Sequence, residues 1–305
     1  MSLEFSIVIP CYTEGALLLQ ALESVLQQSY PPIEVILIND ASPDSETRQA
    51  CQQAEQYERV SVIWKPQNEG PAAAINEGFS KARGNVFLNI DADDLLPLRA
   101  LENAAAFFNR NPKVDWLYGN YLRQNSAKKI GQLIDPRPTD LSIMLSSKSF
   151  TPSSRWSLRA NNPMRRHVWE DLKGHDSNLD AKDIHDLEFL IRLIDSGYCG
   201  KYIPKTMYIW RKYLGNNTRL VTPLSWYRIA YKHQKIYEEN GLKYRALELL
   251  LWGSKWLKDS DDIKRYRSEL LECVRIGQFK LPTLLALALP APIFRPIASV
   301  AGFLR

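Results

Sequence analysis

Short apolar runs alternate with amphipathic stretches over the first 120 residues of this 305-residue chain. Continuous apolar runs predict buried strands at Phe5–Pro10, Ile33–Ile38, Val60–Trp64, Val86–Ile90 and Val114–Tyr118. The stretches between them have helical spacing, at Leu17–Leu26, Asp44–Tyr57, Pro71–Ala82 and Pro97–Phe108. Apolar strands that alternate with helices are typical of a mostly parallel sheet covered by helices on both faces. The pattern therefore predicts an α/β fold.

The pattern changes twice after residue 120. Residues 121–222 are irregular and interrupted by prolines, apart from a helix predicted at Asp183–Ser196 and closed by Gly197. From Leu224 to Ile276 the spacing is helical again. We therefore predict a domain over residues 1–222, with halves at 1–120 and 121–222, followed by a helical C-terminal extension at 223–305 that ends in an apolar tail.

Composition restricts the class of protein. A content of 45% hydrophobic and 24% charged residues is typical of a folded globular chain. The net charge of +5 is mild, and no nucleic-acid motif accompanies it, so we expect no nucleic-acid partner. The four cysteines are far apart in sequence, and no signal peptide or membrane-spanning run is visible. These features favour a cytoplasmic protein with reduced thiols.

Three carboxylates follow the predicted strand Val86–Ile90, at Asp91, Asp93 and Asp94. Open α/β sheets bind ligands at the carboxyl ends of their strands. Clustered carboxylates repel each other, and hard divalent cations prefer oxygen ligands, so the cluster predicts a Mg²⁺ or Mn²⁺ site that carries a phosphorylated ligand. The alternative is that Asp93 or Asp94 caps the next helix. Capping explains one aspartate well and three poorly.

Three further loops are expected at the same edge of the sheet. Pro10, Tyr12 and Glu14 follow the first strand, Asp40 follows the second, and Asn68 precedes a helix that begins with small residues. Small residues allow close approach of a ligand, and helix amino termini favour anionic groups. Asp40 could accept a hydrogen bond from the N–H of a uracil or thymine ring. The alternative for Asp40 is an ordinary turn residue.

Taken in order, these motifs resemble the family-2 inverting glycosyltransferases of the GT-A fold. The resemblance continues to Asp186, which is followed six residues later by Arg192, as is common in that family. It also includes the turn Gly174–Asp176 and the segment Tyr208–Arg211. Each motif is weak alone, but their order from Phe5 to Thr218 makes the combination specific.

The resemblance implies a nucleotide-sugar donor, with UDP-sugar favoured, and a glycan or lipid-linked acceptor in polysaccharide, lipopolysaccharide or glycolipid synthesis. The residues that it assigns to the donor pocket are Pro10, Tyr12, Glu14, Asp40, Asn68 and Asp91. It also implies that Asp91 and Asp93 hold Mg²⁺ or Mn²⁺ and that Asp186 is the catalytic base, with Asp183 as a rival. Inversion at the anomeric carbon needs only one such base near the acceptor hydroxyl.

Three positions depart from the family pattern. His185 replaces the usual Glu, Ile75 replaces a common Arg, and Tyr213 replaces a frequent His. A nucleotide-sugar-binding protein with impaired catalysis therefore stays open as an alternative. A sugar-nucleotide pyrophosphorylase is a further alternative, although such enzymes usually have a basic, glycine-rich loop after the first strand, and this chain has only Gly15 there.

The apolar tail over residues 281–305 has two interpretations. It could dock on its own domain by burying Leu285, Leu289 and Phe294. Alternatively, it could form a peripheral contact with the inner face of the cell membrane, with nearby Lys and Arg side chains at anionic headgroups. Prolines interrupt the tail, so it is not expected to form a continuous membrane-spanning helix.

Overall fold

A computed structural model describes residues 2–125, 128–137, 139–148, 154–179, 184–212 and 222–293. The chain divides into two compact units. The first consists of Met1–Pro136, Arg159–Ala181 and His185–Asn217, and the second of Arg137–Leu158, Lys182–Ile184 and Thr218–Arg305. The boundary expected near residue 222 stays a prediction.

Helices and strands alternate regularly up to residue 110. In chain order they are β1 (Phe5–Cys11), α1 (Leu17–Leu26), β2 (Glu34–Asn39), α2 (Ser45–Ala54), β3 (Val60–Trp64), α3 (Pro71–Lys81), β4 (Val86–Asn89) and α4 (Ala100–Arg110). The later elements are β5 (Trp116–Asn125), β6 (Lys128–Ile134), α5 (Leu141–Met144), β7 (Met164–Arg165), α6 (Arg166–Asp171), α7 (His185–Asp195), β8 (Gly200–Lys212), α8 (Pro223–Lys232), α9 (Gln234–Glu239), α10 (Lys243–Leu257), α11 (Ser260–Arg275) and α12 (Leu281–Ala288).

The strands of the described residues form one mixed sheet in the order β3-β2-β1-β4-β7-β5-β6, with β8 paired to β5. The first four strands are parallel, and Ile7 of β1 lies opposite Val35 of β2 and Leu88 of β4. The short strand β7 is antiparallel to both β4 and β5, whereas β8 is parallel to β5. The predicted α/β class is confirmed: the sheet is mixed but mostly parallel, is flanked by helices and is followed by C-terminal helices.

Alternate residues of the central strands pack against helices on opposite faces of the sheet. On one face, Ile7, Leu37 and Leu88 belong to a buried core that also includes side chains of α1, α2 and α4. On the other face, Phe87 of β4 stacks on Phe79 of α3 with ring centroids 4.6 Å apart. Because both faces are covered, β1, β2 and β4 are apolar along nearly their whole length. This burial leaves the loops at the strand ends as the accessible part of the sheet.

The second unit contains a buried ion pair. Arg245 and Glu248 on α10 have fully buried side chains and contact each other. Glu248 also accepts a 2.9 Å hydrogen bond from the Thr283 hydroxyl of α12. Burial raises the pKa of Glu248, whereas Arg245 and Thr283 oppose that shift. Removing one partner of the buried Arg245–Glu248 pair would leave an uncompensated charge. The hydrogen bond from Thr283 to Glu248 connects α12 to this pair.

Helix α12 docks on its own unit, and of the residues expected to be buried there, Leu289 is partly buried. Its buried face consists of Pro282, Thr283, Ala286 and Leu287, and Lys255 donates hydrogen bonds to carbonyl groups near its C-terminal end. The expectation that Leu285 is buried was wrong, because that residue is 37% exposed. Helical spacing places Leu285 away from the face that contains Thr283 and Ala286. The expected contact of Phe294 lies outside the described residues.

None of the helices that the structure describes has both the length and the apolar character required to span a bilayer.

We predict that Gly78→Ala lowers the free energy of unfolding by about 1–3 kcal/mol, because overpacking a filled core has this cost. Gly78 lies where α3 contacts β1, and a Cβ atom there would lie 2.5 Å from Cγ1 of Val8. Urea denaturation measures the change. Ser80→Ala on the exposed side of the same helix is the control and should change stability by less than about 0.5 kcal/mol.

A double-mutant cycle identifies the contact responsible. In a Val8→Ala background both methyl groups that would clash are absent, so Gly78→Ala should cost much less. An undiminished cost in that background would contradict the role given to Val8.

Candidate active site

The loops after β1, β2 and β3 meet at one edge of the sheet through hydrogen bonds. The Ser42 hydroxyl after β2 donates to the carbonyl of Tyr12 after β1. Asp40 after β2 accepts hydrogen bonds from the backbone N–H groups of Glu69 (3.0 Å) and Gly70 (2.8 Å) after β3. Parallel strands with their carboxyl ends aligned make this arrangement possible. The convergence that the sequence predicted for these loops is therefore seen in the structure.

Asp40 is almost completely buried, and both of its carboxylate oxygens have partners. In addition to two backbone N–H groups, it contacts Lys65 Nζ at 3.1 Å. The carboxylate therefore holds the loop that contains Asn68, whose own side chain accepts the Gly70 N–H at 3.1 Å. Each carboxylate oxygen can accept more than one hydrogen bond. The expected contact of Asp40 with a nucleobase stays a prediction, as does the role of Asn68 in the donor pocket.

The loop after β1 is organised by Glu14. Its Oε2 atom accepts hydrogen bonds from the N–H groups of Tyr12 (2.6 Å) and Thr13 (2.9 Å). Burial raises the pKa of Glu14 and nearby Asp91 adds to the shift, whereas the backbone donors oppose it. The Tyr12 side chain is exposed, and Pro10 is partly buried at the end of β1. This leaves Tyr12 available to contact a ligand at the sheet edge.

The acidic cluster follows β4. Carboxylate oxygens of Asp91, Asp93 and Asp94 lie within 4.8 Å of one another. The capping alternative is wrong, because α4 begins at Ala100 and its N-cap residue is Arg99. The three carboxylates are therefore crowded for a reason other than helix capping.

Asp94 is the buried member of the cluster, and both of its oxygens accept hydrogen bonds. One oxygen accepts hydrogen bonds from the Tyr208 hydroxyl (2.8 Å) and Arg159 Nη2 (3.3 Å), and the other accepts from the Arg211 N–H (2.7 Å). Burial and the charge of Asp91 raise the pKa of Asp94 to about 8, although Arg159 opposes the shift. Asp94 thus connects β8 to the cluster. Asp91 and Asp93 are only partly buried, and the three carboxylates together could hold a metal ion.

Two residues that the sequence did not single out complete the cluster. Arg159 Nη2 contacts Asp91 Oδ2 at 2.9 Å, and Asn161 Nδ2 lies 3.3 Å from Asp91 Oδ1. Asn161 also donates to the backbone carbonyl of Asn89 at 3.2 Å, which fixes it to the end of β4. Both residues lie in the irregular segment after residue 121, where no periodicity indicated that they approach Asp91.

Asp186 lies in the first turn of α7 and is exposed. Its Oδ1 atom accepts the Leu187 N–H at 2.9 Å. Desolvation by the surrounding protein would raise the pKa of Asp186, but His185, this N–H group and Arg159 together lower it. Arg159, which also contacts Asp91, is thus one of the charges that lower the pKa of Asp186. Asp183, the rival base, lies outside the described residues.

The backbone around Asp186 is fixed by neighbouring polar contacts. His185 and His175 face each other with their Nδ1 atoms 3.3 Å apart. Burial and the proximity of His185 lower the pKa of His175 to about 3, so this ring is neutral at physiological pH. Asn76 of α3 binds both the N–H and the carbonyl of His175, each at 2.8 Å.

The contacts of Arg192 give a structural reason for its position six residues after Asp186. It pairs with buried Glu188 at 2.8 Å and donates to the carbonyl of Gly174, also at 2.8 Å. The arginine therefore fixes the turn before α7 to the helix that carries Asp186. These contacts give Arg192 a positioning role.

Similarity to known proteins covers the part of the chain that contains these loops and the acidic cluster. The model of glycosyl transferase family 2 matches residues 6–169, which is more than half of the chain. EpsE of Bacillus subtilis strain 168, which carries a glycosyltransferase name, is 28% identical over 204 residues, covering 67% of this chain and 71% of EpsE. Poly-beta-1,6-N-acetyl-D-glucosamine synthase of Staphylococcus epidermidis is 30% identical over 128 residues, covering 42% of this chain and only 31% of the synthase.

The fold is similar to that of S. aureus TarS. The structure of TarS residues 1–349 in complex with UDP-GlcNAc matches with a TM-score of 0.59 and 20% sequence identity, covering 90% of this chain and 93% of TarS 1–349. The family match over residues 6–169 includes the loops after β1 to β4 and the acidic cluster. The chain belongs to glycosyl transferase family 2.

Proposed function

We propose that this protein transfers a sugar from a nucleoside diphosphate sugar to an acceptor hydroxyl, with inversion at the anomeric carbon. The observation that carries the proposal is the acidic cluster at the carboxyl edge of the sheet. Asp91 and Asp93 lie there with the loops of Tyr12 and Asp40, and Arg159, which contacts Asp91, also helps to lower the pKa of Asp186. This arrangement supplies a cation site and a base without requiring a second catalytic carboxylate.

We infer a UDP-sugar as the donor. The fold neighbour TarS was solved with UDP-GlcNAc, which supports this choice. Pro10, Tyr12 and Asp40 would contact the nucleoside, because Pro10 lies at the carboxyl end of β1 and the other two lie on the loops after β1 and β2. Relatives such as the poly-N-acetylglucosamine synthase support a glycan acceptor and a role in polysaccharide synthesis.

The donor set fits Mg²⁺ or Mn²⁺. Asp91 and Asp93 supply carboxylate oxygens, which hard divalent cations prefer, and the cluster contains no softer ligand. When bound, the cation would supply positive charge to the diphosphate leaving group. Asp94 would support this site indirectly, since its oxygens already bind Tyr208 and Arg211.

Asp186 is the proposed general base. Its lowered pKa keeps the carboxylate ionised at neutral pH, so it can accept a proton from an acceptor hydroxyl. The exposed position in the first turn of α7 leaves room for an acceptor. His185 replaces the Glu that is usual in the family. Its ring faces His175, so we assign it a role in fixing the start of α7.

Asp93→Asn is expected to abolish Mn²⁺-dependent binding of UDP while leaving the fold intact, because it removes a charged ligand oxygen with little change in size. Calorimetric titration with UDP in the presence of Mn²⁺ measures this effect. The control is Asp261→Asn on exposed α11, which should bind normally. Unchanged Mn²⁺-dependent affinity in Asp93→Asn would contradict the metal assignment.

Asp186→Asn is expected to preserve donor affinity and to reduce sugar transfer by roughly 10²–10⁴-fold, the usual contribution of a general base. Initial rates and calorimetry separate the two effects. Asp195→Asn at the exposed end of the same helix is the matched control and should retain activity. Asp183→Asn should do much less than Asp186→Asn, and equal losses from both would show that the base is misassigned.

We also propose that α12 and the tail contact anionic lipid. The last 33 residues, 273–305, contain four basic residues and no Asp or Glu. Leu281, Leu284 and Leu285 are exposed on α12, and Phe279 before the helix is also exposed. Apolar side chains next to basic residues are suited to the boundary between headgroups and acyl chains. A lipid-linked acceptor would make this placement useful.

The membrane proposal predicts that the full chain pellets with vesicles containing anionic phospholipid and less with zwitterionic vesicles. Ending the chain at Gln278 should abolish pelleting, but this truncation also removes Thr283 from buried Glu248. A second variant, Leu281→Ser with Leu284→Ser and Leu285→Ser, preserves the buried face of α12 and should also lose binding. Equal, negligible pelleting of the full chain and both variants would leave only the docked tail.

A further inference from the structure

The acidic cluster already contains a positive charge. Arg159 Nη2 lies 2.9 Å from Asp91 Oδ2 and 3.3 Å from both Asp94 Oδ2 and Asn161 Oδ1. Its side chain is 23% exposed, whereas that of Asp91 is 42% exposed. The guanidinium group therefore pairs with one of the two aspartates that are assigned to the metal.

Aromatic rings hold this guanidinium group in place. Arg159 Cζ lies 5.0 Å from the ring centroid of Trp210 and 5.4 Å from that of Tyr208. Such contacts attract a cation and restrict its position. The buried Nε atom of Arg159 has no hydrogen-bond partner among the residues that the structure describes. The arginine thus has a fixed location and a donor that its neighbours do not use.

The position of this charge affects cation binding directly. A divalent cation on Asp91 would share that carboxylate with Arg159, and two positive charges a few ångströms apart repel each other. The guanidinium group therefore opposes binding of the metal alone. A diphosphate group has negative charge for both partners and offers acceptors to Arg159, since guanidinium groups match phosphate geometry. When the metal and the diphosphate bind together, the negative charge of the diphosphate offsets the repulsion between the metal and Arg159.

We propose that Arg159 makes the binding of the divalent cation and of the donor diphosphate mutually dependent. This inference rests on the proposed donor site and adds a specific residue to it. In the protein without ligand, Arg159 compensates the charge of Asp91. With both ligands present, the guanidinium group contacts the diphosphate. The two ligands then strengthen each other's binding by the same factor, because such coupling is reciprocal.

The test is a binding cycle with Mn²⁺ and UDP. Electron paramagnetic resonance measures the affinity for Mn²⁺ with and without UDP, and calorimetry measures the affinity for UDP with and without Mn²⁺. Association of Mn²⁺ with UDP in solution is measured separately and subtracted. Arg159→Gln is expected to bind Mn²⁺ alone about tenfold more tightly and to lose a similar factor of coupling.

Other variants distinguish charge from structure. Arg159→Met removes the same charge with a side chain that can still pack on Tyr208 and Trp210, so it tests the claim if Arg159→Gln does not fold. Arg159→Lys keeps the charge and should retain most of the coupling. Arg123→Gln is the matched control, because Arg123 Cζ also lies over the Trp210 ring, 5.1 Å from its centroid, and has no assigned role at the acidic cluster. This variant should behave as wild type.

The outcomes separate this inference from the proposed function. If wild type binds Mn²⁺ and UDP cooperatively but Arg159→Gln and Arg159→Met keep full coupling, the inference is overturned while the donor site stands. Complete loss of coupling in Arg159→Lys would overturn the electrostatic explanation. If wild type binds neither ligand, the donor site and this inference both fail.

Discussion

Repulsion among three carboxylates at the end of β4 is the constraint on which the site depends. Asp91, Asp93 and Asp94 lie within 4.8 Å of each other, partly out of water, where like charges interact strongly. The protein compensates this charge with Arg159 and with hydrogen bonds from Tyr208 and the Arg211 backbone. Asp94 therefore connects β8 to the end of β4, while Asp91 and Asp93 beside it stay partly exposed.

The surrounding loops use polar side chains to fix backbone positions. Asp40 binds the N–H groups of Glu69 and Gly70, and Asn76 binds both backbone groups of His175. Each contact joins segments that are distant in sequence, and each lies next to a residue assigned to the donor or to the base. A site built in this way keeps its geometry without the ligand, because the backbone does not have to be ordered at the moment of binding.

The sequence predicted the part of the site that follows from strand periodicity. Runs of buried residues located β1 to β4, and parallel pairing then required the loops of Tyr12, Asp40 and Asp91 to lie on one edge. It did not predict Arg159, because its contact with Asp91 joins residues 68 positions apart and arises from an irregular segment. It also misassigned Leu285, since α12 is apolar on several sides and periodicity cannot identify the buried one.

Stereochemistry of donor hydrolysis tests the central claim most directly, since it needs no knowledge of the natural acceptor. With Mn²⁺ and an α-linked UDP-sugar, water replaces the acceptor, and proton NMR observes the released sugar before its anomers equilibrate. Our account predicts Mn²⁺-dependent release of UDP with the β-anomer formed first, and loss of this release in Asp186→Asn. Initial formation of the α-anomer, or release that is unaffected by removal of Asp186, would contradict it.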